Sequence, residues 1–261
     1  MNGDIITKID FNEMLQSHKS SKAAITDALR EVQDPSRFGV VELDAASRIV
    51  RFVEKPNKMD APSRLINAGI YLIEPSVLKR IPSERKVSLE REIFPVLARH
   101  GKLGGFRLRD YWFDIGNFSD FRKANFALIE KTGSANARFS KSTVAENSKL
   151  TPPVLVGAHS HIDFEAKLGP YAVLGKNVRV GKRARISNSI IFDDVKIGEK
   201  STVTGAIVGS NSTIGKGVRI ERGVVISPKV SISDGVRVGR GAVVHPHKEI
   251  TRHVSDWAHV M

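Results

Sequence analysis

At 261 residues the chain has room for one or two domains, and 41% hydrophobic against 26% charged residues is enough apolar material for packed cores, so general disorder is excluded. The absence of cysteine removes disulfide frameworks, thiolate zinc sites and cysteine nucleophiles. The net charge of +13 is spread as 22 basic against 18 acidic residues over 1–133 and 19 against 10 over 134–261, with no long like-charge run, so solubility or attraction of phosphorylated ligands is expected rather than nucleic-acid binding.

In chain order, Met1 to Asp10 lacks the basic start and long apolar stretch of a secretory signal. No apolar run approaches the roughly 20 residues of a membrane helix. A cytoplasmic protein without membrane contact is expected. Asp10 then caps a helix, with Glu13 three residues on and Phe11, Met14 and Leu15 on one face. Phe38–Leu43 and Arg48–Val53 flank a turn at Asp44-Ala45-Ala46-Ser47 and predict a β-hairpin. Leu65–Ile73 is a strand. Ser88 caps a helix from Leu89 to about Arg99, with Glu90 and Glu92 near its positive end and Pro95 bending or interrupting it. Tyr111-Trp112-Phe113 is a short aromatic strand, and Phe118–Lys131 a helix with Gly133 just past its end. The polar stretch 134–153, ending in Thr151-Pro152-Pro153, is expected as a linker, with a start of the β-helix inside it as the alternative.

From Val156 an aliphatic residue recurs every six positions, through Ile162, Leu168, Leu174, Val180 and Ile186. A five-residue step gives Ile191, then Ile197 and Val203, and a second gives Val208. The beat resumes through Ile214, Ile220, Ile226, Ile232, Val238, Val244 and Ile250, seventeen positions in all. A period of six fits neither a helix nor an ordinary half-buried strand. It fits short strands separated by tight corners, where glycines such as Gly157, Gly175 and Gly215 allow the corner conformation. The pattern is similar to the hexapeptide repeat of left-handed parallel β-helices, in which three hexapeptides make a coil; five to six coils are expected over 154–261.

Four short segments of the first half carry chemistry. Asn2-Gly3-Asp4 puts a carboxylate after a tight glycine. Glu54-Lys55-Pro56 sets opposite charges at a strand end. Asn67-Ala68-Gly69 places two poor strand formers inside an apolar strand, and Trp112-Phe113-Asp114-Ile115-Gly116 embeds a carboxylate among large apolar groups. Singly, each also reads as a turn, a strand end, a bulge or a cap.

Their joint order, followed by hexapeptide repeats, resembles the sugar-nucleotide pyrophosphorylases, especially the mannose-1-phosphate guanylyltransferases and glucose-1-phosphate nucleotidyltransferases. The resemblance implies a partial Rossmann-like α/β nucleotidyltransferase domain over 1–133 and transfer of a nucleotidyl group from a nucleoside triphosphate to a sugar 1-phosphate. It further implies that Asp4 and Asp114 bind Mg²⁺ and that Lys55 contacts the sugar phosphate. Glu54 and Asn67 would hydrogen-bond sugar hydroxyls, and Gly39 and Gly69 would line that pocket. A homo-oligomer is expected, a dimer ahead of a trimer, or a complex with a partner subunit.

The family's Gly-x-Gly-Thr-Arg-Leu-x-Pro segment, which binds the triphosphate, does not occur in these 261 residues, and no other phosphate loop replaces it. Weak turnover by this chain alone is therefore expected. Two rival readings are a non-catalytic regulatory or scaffold subunit, and a hexapeptide acetyltransferase using His159, His161, His245 or His247 as a general base.

Overall fold

The computed structural model describes residues 1–131, 138–139 and 141–261. Contacts divide the chain into two units, Met1–Asp114 and Ile115–Met261.

The first unit is α/β. It comprises β1 (Ile5–Thr7), α1 (Phe11–Ser21), β2 (Ile25–Glu31), β3 (Gly39–Leu43), β4 (Ile49–Glu54), β5 (Leu65–Ile73), α2 (Pro75–Leu78), a π-turn over Leu89–Ile93, α3 (Phe94–Arg99), β6 (Leu103–Arg107) and β7 (Trp112–Asp114). Five strands form a sheet in the order β4-β3-β5-β2-β6, with β2 and β6 parallel and the other pairs antiparallel. β1 and β7 form a separate antiparallel ribbon.

The predicted caps are present: Asp10 accepts from the Asn12 and Glu13 N–H groups, and Ser88 from Arg91. The Asp44 side chain closes the predicted hairpin by accepting from the Ala46 and Arg48 N–H groups. The helix expected over 89–99 is interrupted at Pro95 and forms two pieces. Pro95 lacks the N–H that would bond the Arg91 carbonyl, so the break falls just before it and Pro95 takes the first turn of α3.

The sheet is covered on both faces. Ile25, Leu29, Val41, Phe52, Phe94 and Leu103 share one core, and Met14, Ala28, Ala68 and Ile70 another. This explains β2, which hydropathy alternation did not reveal: a strand buried on both sides has no polar face to alternate with.

The second unit begins with α4 (Phe118–Lys131). Sequence assigned this helix to the first domain, but it packs on the repeats, with Phe121 stacked on Phe192 at 6.1 Å and Phe126 against Tyr171 at 5.1 Å. The end of α4 and the expected cap at Gly133 lie outside the described residues.

The rest is a parallel β-solenoid of about seven turns, its strands stacked in three sheets. All seventeen inward aliphatic positions are buried, none more than 6% exposed. The register steps mostly by 18 residues per coil; it shortens to 17 where the beat shortens, Ala172 pairing with Ser189 and Ile190 with Ile207, and at the start, where Arg138 pairs with Leu155, and to 16 at the end, where Val243 pairs with His259. The shortening of the beat falls at one corner on consecutive coils, where Asn188 and Gly205 hold left-handed backbone. Buried serines satisfy the other corners; Ser160, Ser201 and Ser212 each donate to one coil's carbonyl and accept from another N–H.

The coils begin inside the stretch 134–153, the second of the two readings that the sequence offers. Thr143–Val144 and Lys149–Leu150, within the presumed linker, already pair with the next coil. Val144, Leu150 and Val156 keep the six-residue spacing; the Pro152-Pro153 corner disguised it.

The outward residue just before each inward aliphatic gives each face its character. One face carries Leu155, Val173, Ile190, Ile207, Val225 and Val243. Another carries the basic column Lys149, Lys167, Arg185, Arg219 and Arg237, interrupted by Thr202.

Candidate active site

The four segments singled out from sequence converge in the first unit. β1 and β7 pair with Ile5 opposite Asp114, so Asp4, one residue before Ile5, lies at the same end of the ribbon as Asp114. Asp4 is exposed and Asp114 half-buried. The Asn2 N–H donates to the Gly69 carbonyl at 2.8 Å, and the Trp112 indole N–H donates to the Ala68 carbonyl at 2.9 Å. Both motif ends of the ribbon are thus fastened to one point on β5. Phe38, just before Gly39, packs edge-on against Trp112 at 5.8 Å, and its carbonyl accepts from the Lys55 N–H.

Gly69 is where β5 departs from regular pairing. Opposite Asp27–Leu29 of β2, β5 inserts extra residues between Tyr71 and Asn67, and Gly69 takes φ +73°. A Cβ there would sit 2.7 Å from the Asn2 amide nitrogen, so glycine is needed both for backbone and for the close approach of Asn2. Asn67 stabilises the bulge: its carbonyl oxygen accepts from the Gly69 N–H at 2.7 Å, and its amide donates to the Tyr71 hydroxyl at 2.8 Å.

Gly39 pairs with Glu54 across β3 and β4. Its missing side chain houses the chain's own groups, since a Cβ would lie 2.5 Å from the Phe52 ring and 2.9 Å from the Glu54 carboxylate. Its direct role is to seat Glu54. Partial burial raises the Glu54 carboxyl above its usual range, with Glu90 adding to the rise and Lys55 opposing it. Lys55 has φ +48°, uncommon for a residue with a side chain, and precedes the buried Pro56. Its side chain is exposed.

Sequence reading missed three members of this neighbourhood. The Tyr71 hydroxyl donates to Glu90 at 3.3 Å, and Ser88 donates to the other Glu90 oxygen at 2.9 Å. Glu90 was read only as a helix-end charge and Tyr71 only as a strand residue. The third, Asp27, is fully buried on the core face of β2 beside Tyr71, and neither carboxylate oxygen has a hydrogen-bond partner among the described residues. Burial, with Glu90 nearby, pushes its carboxyl well above the usual range.

Among the described residues no group of three or more His, Cys, Asp or Glu is gathered to hold a metal ion. Two carboxylates at one ribbon end are nonetheless a fitting donor set for Mg²⁺, which usually takes one or two carboxylates and completes its shell with water and phosphate oxygens.

The Nucleotidyl transferase family profile matches residues 1–131, half of the chain. The chain belongs to the nucleotidyl transferase family. A second profile, the GMPPB C-terminal domain, matches residues 150–260. Among curated relatives, a mannose-1-phosphate guanyltransferase of Aspergillus fumigatus is 34% identical over 239 residues, covering 88% of this chain and 63% of the relative. A mannose-1-phosphate guanylyltransferase of Mycobacterium tuberculosis is 33% identical over 202 residues, covering 75% and 52% respectively. A probable mannose-1-phosphate guanylyltransferase 3 of Oryza sativa is 32% identical over 231 residues, covering 88% and 62%. The chain thus spans between half and two thirds of the length of these relatives.

Proposed function

We propose that this nucleotidyltransferase chain carries the sugar 1-phosphate and metal-binding half of a sugar-1-phosphate nucleotidyltransferase of the mannose-1-phosphate guanylyltransferase type. The observation that carries this reading is the convergence of Asn2 on Gly69, Trp112 on Ala68, and Asp4 beside Asp114. The names of the relatives favour a mannose 1-phosphate acceptor and a guanosine triphosphate donor.

In the reaction, an oxygen of the sugar phosphate attacks the α-phosphorus of the triphosphate. The bond from that phosphorus to the bridging oxygen breaks, and pyrophosphate leaves. Asp4 and Asp114 are the residues that would hold Mg²⁺, whose positive charge, when bound, offsets that of the two phosphates. Lys55 places a point charge on the acceptor phosphate, where its strained backbone and the rigid Pro56 fix the direction of approach. Glu54 and Asn67 orient the sugar through its hydroxyls; after its two contacts within the chain, Asn67 keeps one amide hydrogen and spare acceptor capacity. Gly69 lets Asn2 close on β5, and Gly39 makes room for Glu54. No side-chain nucleophile is required, because positioning and electrostatics carry phosphoryl transfer of this kind.

Calorimetry with mannose 1-phosphate tests the reading; the expected result is weak binding that tightens with Mg²⁺ and weakens in Lys55→Ala. Product formation by these 261 residues alone is expected to be negligible. A regulatory or scaffold role would appear instead as no sugar-phosphate binding together with capture of an active homologue. The acetyl-transfer reading draws no support from geometry: His159, His161 and His247 are exposed, and the His245 ring lies 6.3 Å from the His259 ring.

A homo-oligomer, a dimer ahead of a trimer, belongs to the same reading. It is supported by an apolar groove of about 590 Å³ in the second unit, lined by Phe118, Phe121, Phe192, Ile207, Val225 and Pro228. No helix among the described residues is long and apolar enough to cross a membrane.

A further inference from the structure

The first unit holds a second cavity, of about 660 Å³, which shares no lining residue with the candidate active site. It sits where α1 ends, β2 begins, β5 ends and β6 begins. Backbone bonds gather these ends: the Ala24 N–H donates to the Lys102 carbonyl at 2.8 Å, and the Glu74 N–H to the Ala24 carbonyl at 2.9 Å. Along β5, Glu74 is seven residues beyond Asn67, on the order of 20 Å at the rise of a strand.

The floor is apolar, made of Ala23, Ala24, Val77, Ile93, Val96 and Leu97. Val96 is 42% exposed, an aliphatic side chain open to the cavity side of α3. Beside the floor the buried His18 ring is fixed at both nitrogens, by the Thr26 hydroxyl at 2.7 Å and the Glu74 carboxylate at 3.1 Å.

The rim carries Lys19, Lys22, Arg80 and Lys102, and none of these has an ion pair among the described residues. The two rim carboxylates are already engaged, Glu74 with His18 and Glu92 with Arg85 at 2.7 Å. Lys19 and Lys22 complement the negative end of α1, which accounts for two of the four cations. Arg80 and Lys102 likewise follow the C-terminal ends of α2 and α3. Lys22 also holds left-handed backbone, φ +53°, at a helix end where glycine or asparagine is usual.

We infer that this cavity is a second ligand site, for a phosphorylated organic anion with a flat apolar part, of which a nucleoside diphosphate is the type. The volume falls within the roughly 300–1,000 Å³ of small-molecule pockets. The apolar floor takes the flat group, and the four cations hold the phosphates at the rim. Inorganic phosphate alone leaves the floor unused, and an uncharged ring leaves the cations unpaired. This inference stands apart from the acceptor-site reading, because it uses none of the same residues.

The test is calorimetry of the full chain without Mg²⁺, using ADP as the probe, with pyrophosphate and adenosine as separate arms. ADP is expected to bind at least tenfold more tightly than either fragment. The double variant Lys22→Glu, Lys102→Glu should weaken ADP at least tenfold and leave mannose 1-phosphate binding within twofold. Val96→Glu should also weaken ADP severalfold, and Lys55→Ala should leave it within twofold. The inference is overturned if ADP gives no binding at millimolar concentration, or if the double variant binds it as the parent does. Loss of ADP binding in Lys55→Ala would also overturn it, by moving the probe to the other site. Pyrophosphate binding as tightly as ADP would refute the apolar half of the ligand.

Discussion

Asp27 shows how much a single residue can bias this fold. Its carboxyl is fully buried and unpartnered, and burial raises its proton affinity above that in the unfolded chain. The folded state therefore binds the proton more tightly, so this group's contribution to stability is largest at acid pH. That contribution declines as pH rises past the unfolded value of about 4 toward the raised folded one. Asp27→Asn should accordingly gain stability relative to the parent between pH 4 and pH 8, read as a widening difference in Tm. A constant or shrinking difference contradicts this assignment. Gly69 is the second sensitive residue. Gly69→Ala forces a Cβ into the Asn2 amide and adds about 1–2 kcal/mol of left-handed backbone strain. Urea unfolding should show that loss, and Mg²⁺-assisted binding of sugar phosphate should weaken with it. Asp4, Lys55, Asn67 and Asp114 were legible as an ordered set of motifs. Asp27, Tyr71 and Glu90 were not, because a buried carboxyl in an apolar strand and a glutamate in a helix's first turn carry no local signal of their partners.

Among the elements, the solenoid strands were the most legible, since each coil repeats one rule: an aliphatic side chain inward, its predecessor outward. Adjacent residues should therefore differ sharply in tolerance. Thr213→Asp, on the outer face, should change stability by no more than about 0.5 kcal/mol. Ile214→Ala should cost about 2–5 kcal/mol, because Ile214 is 1% exposed and its neighbours stack directly above and below. Equal responses in urea unfolding would contradict the register. Two elements were hidden for opposite reasons. β2 is buried on both faces and lacks alternation, and the first coil runs through a polar stretch whose Pro152-Pro153 corner also reads as a linker. The break before Pro95 was visible in sequence as a bend or interruption, but the π-turn ahead of it depends on packing rather than on local preference.

At the scale of the whole molecule, the sequence separates an α/β half from a repeat half, and α4, placed with the first half from sequence and within the family profile over 1–131, packs on the repeats. Phe121 and Phe126 face Phe192 and Tyr171, and that pairing is invisible until the coils are folded. If the apolar groove beside α4 joins copies of the chain, sedimentation velocity at micromolar concentration should show a dimer, and Phe118→Glu should shift it to monomer. A monomer in the parent contradicts this assembly. The central claim is that Asp4 and Asp114 act as one metal pair beside an acceptor pocket anchored by Lys55. Calorimetric titration of mannose 1-phosphate with and without Mg²⁺, in the parent and in Asp114→Asn, tests it most directly. Mg²⁺ is expected to tighten binding at least severalfold in the parent and to have no effect in the variant. Binding that ignores Mg²⁺ in the parent, or an unchanged Mg²⁺ effect in the variant, would contradict it.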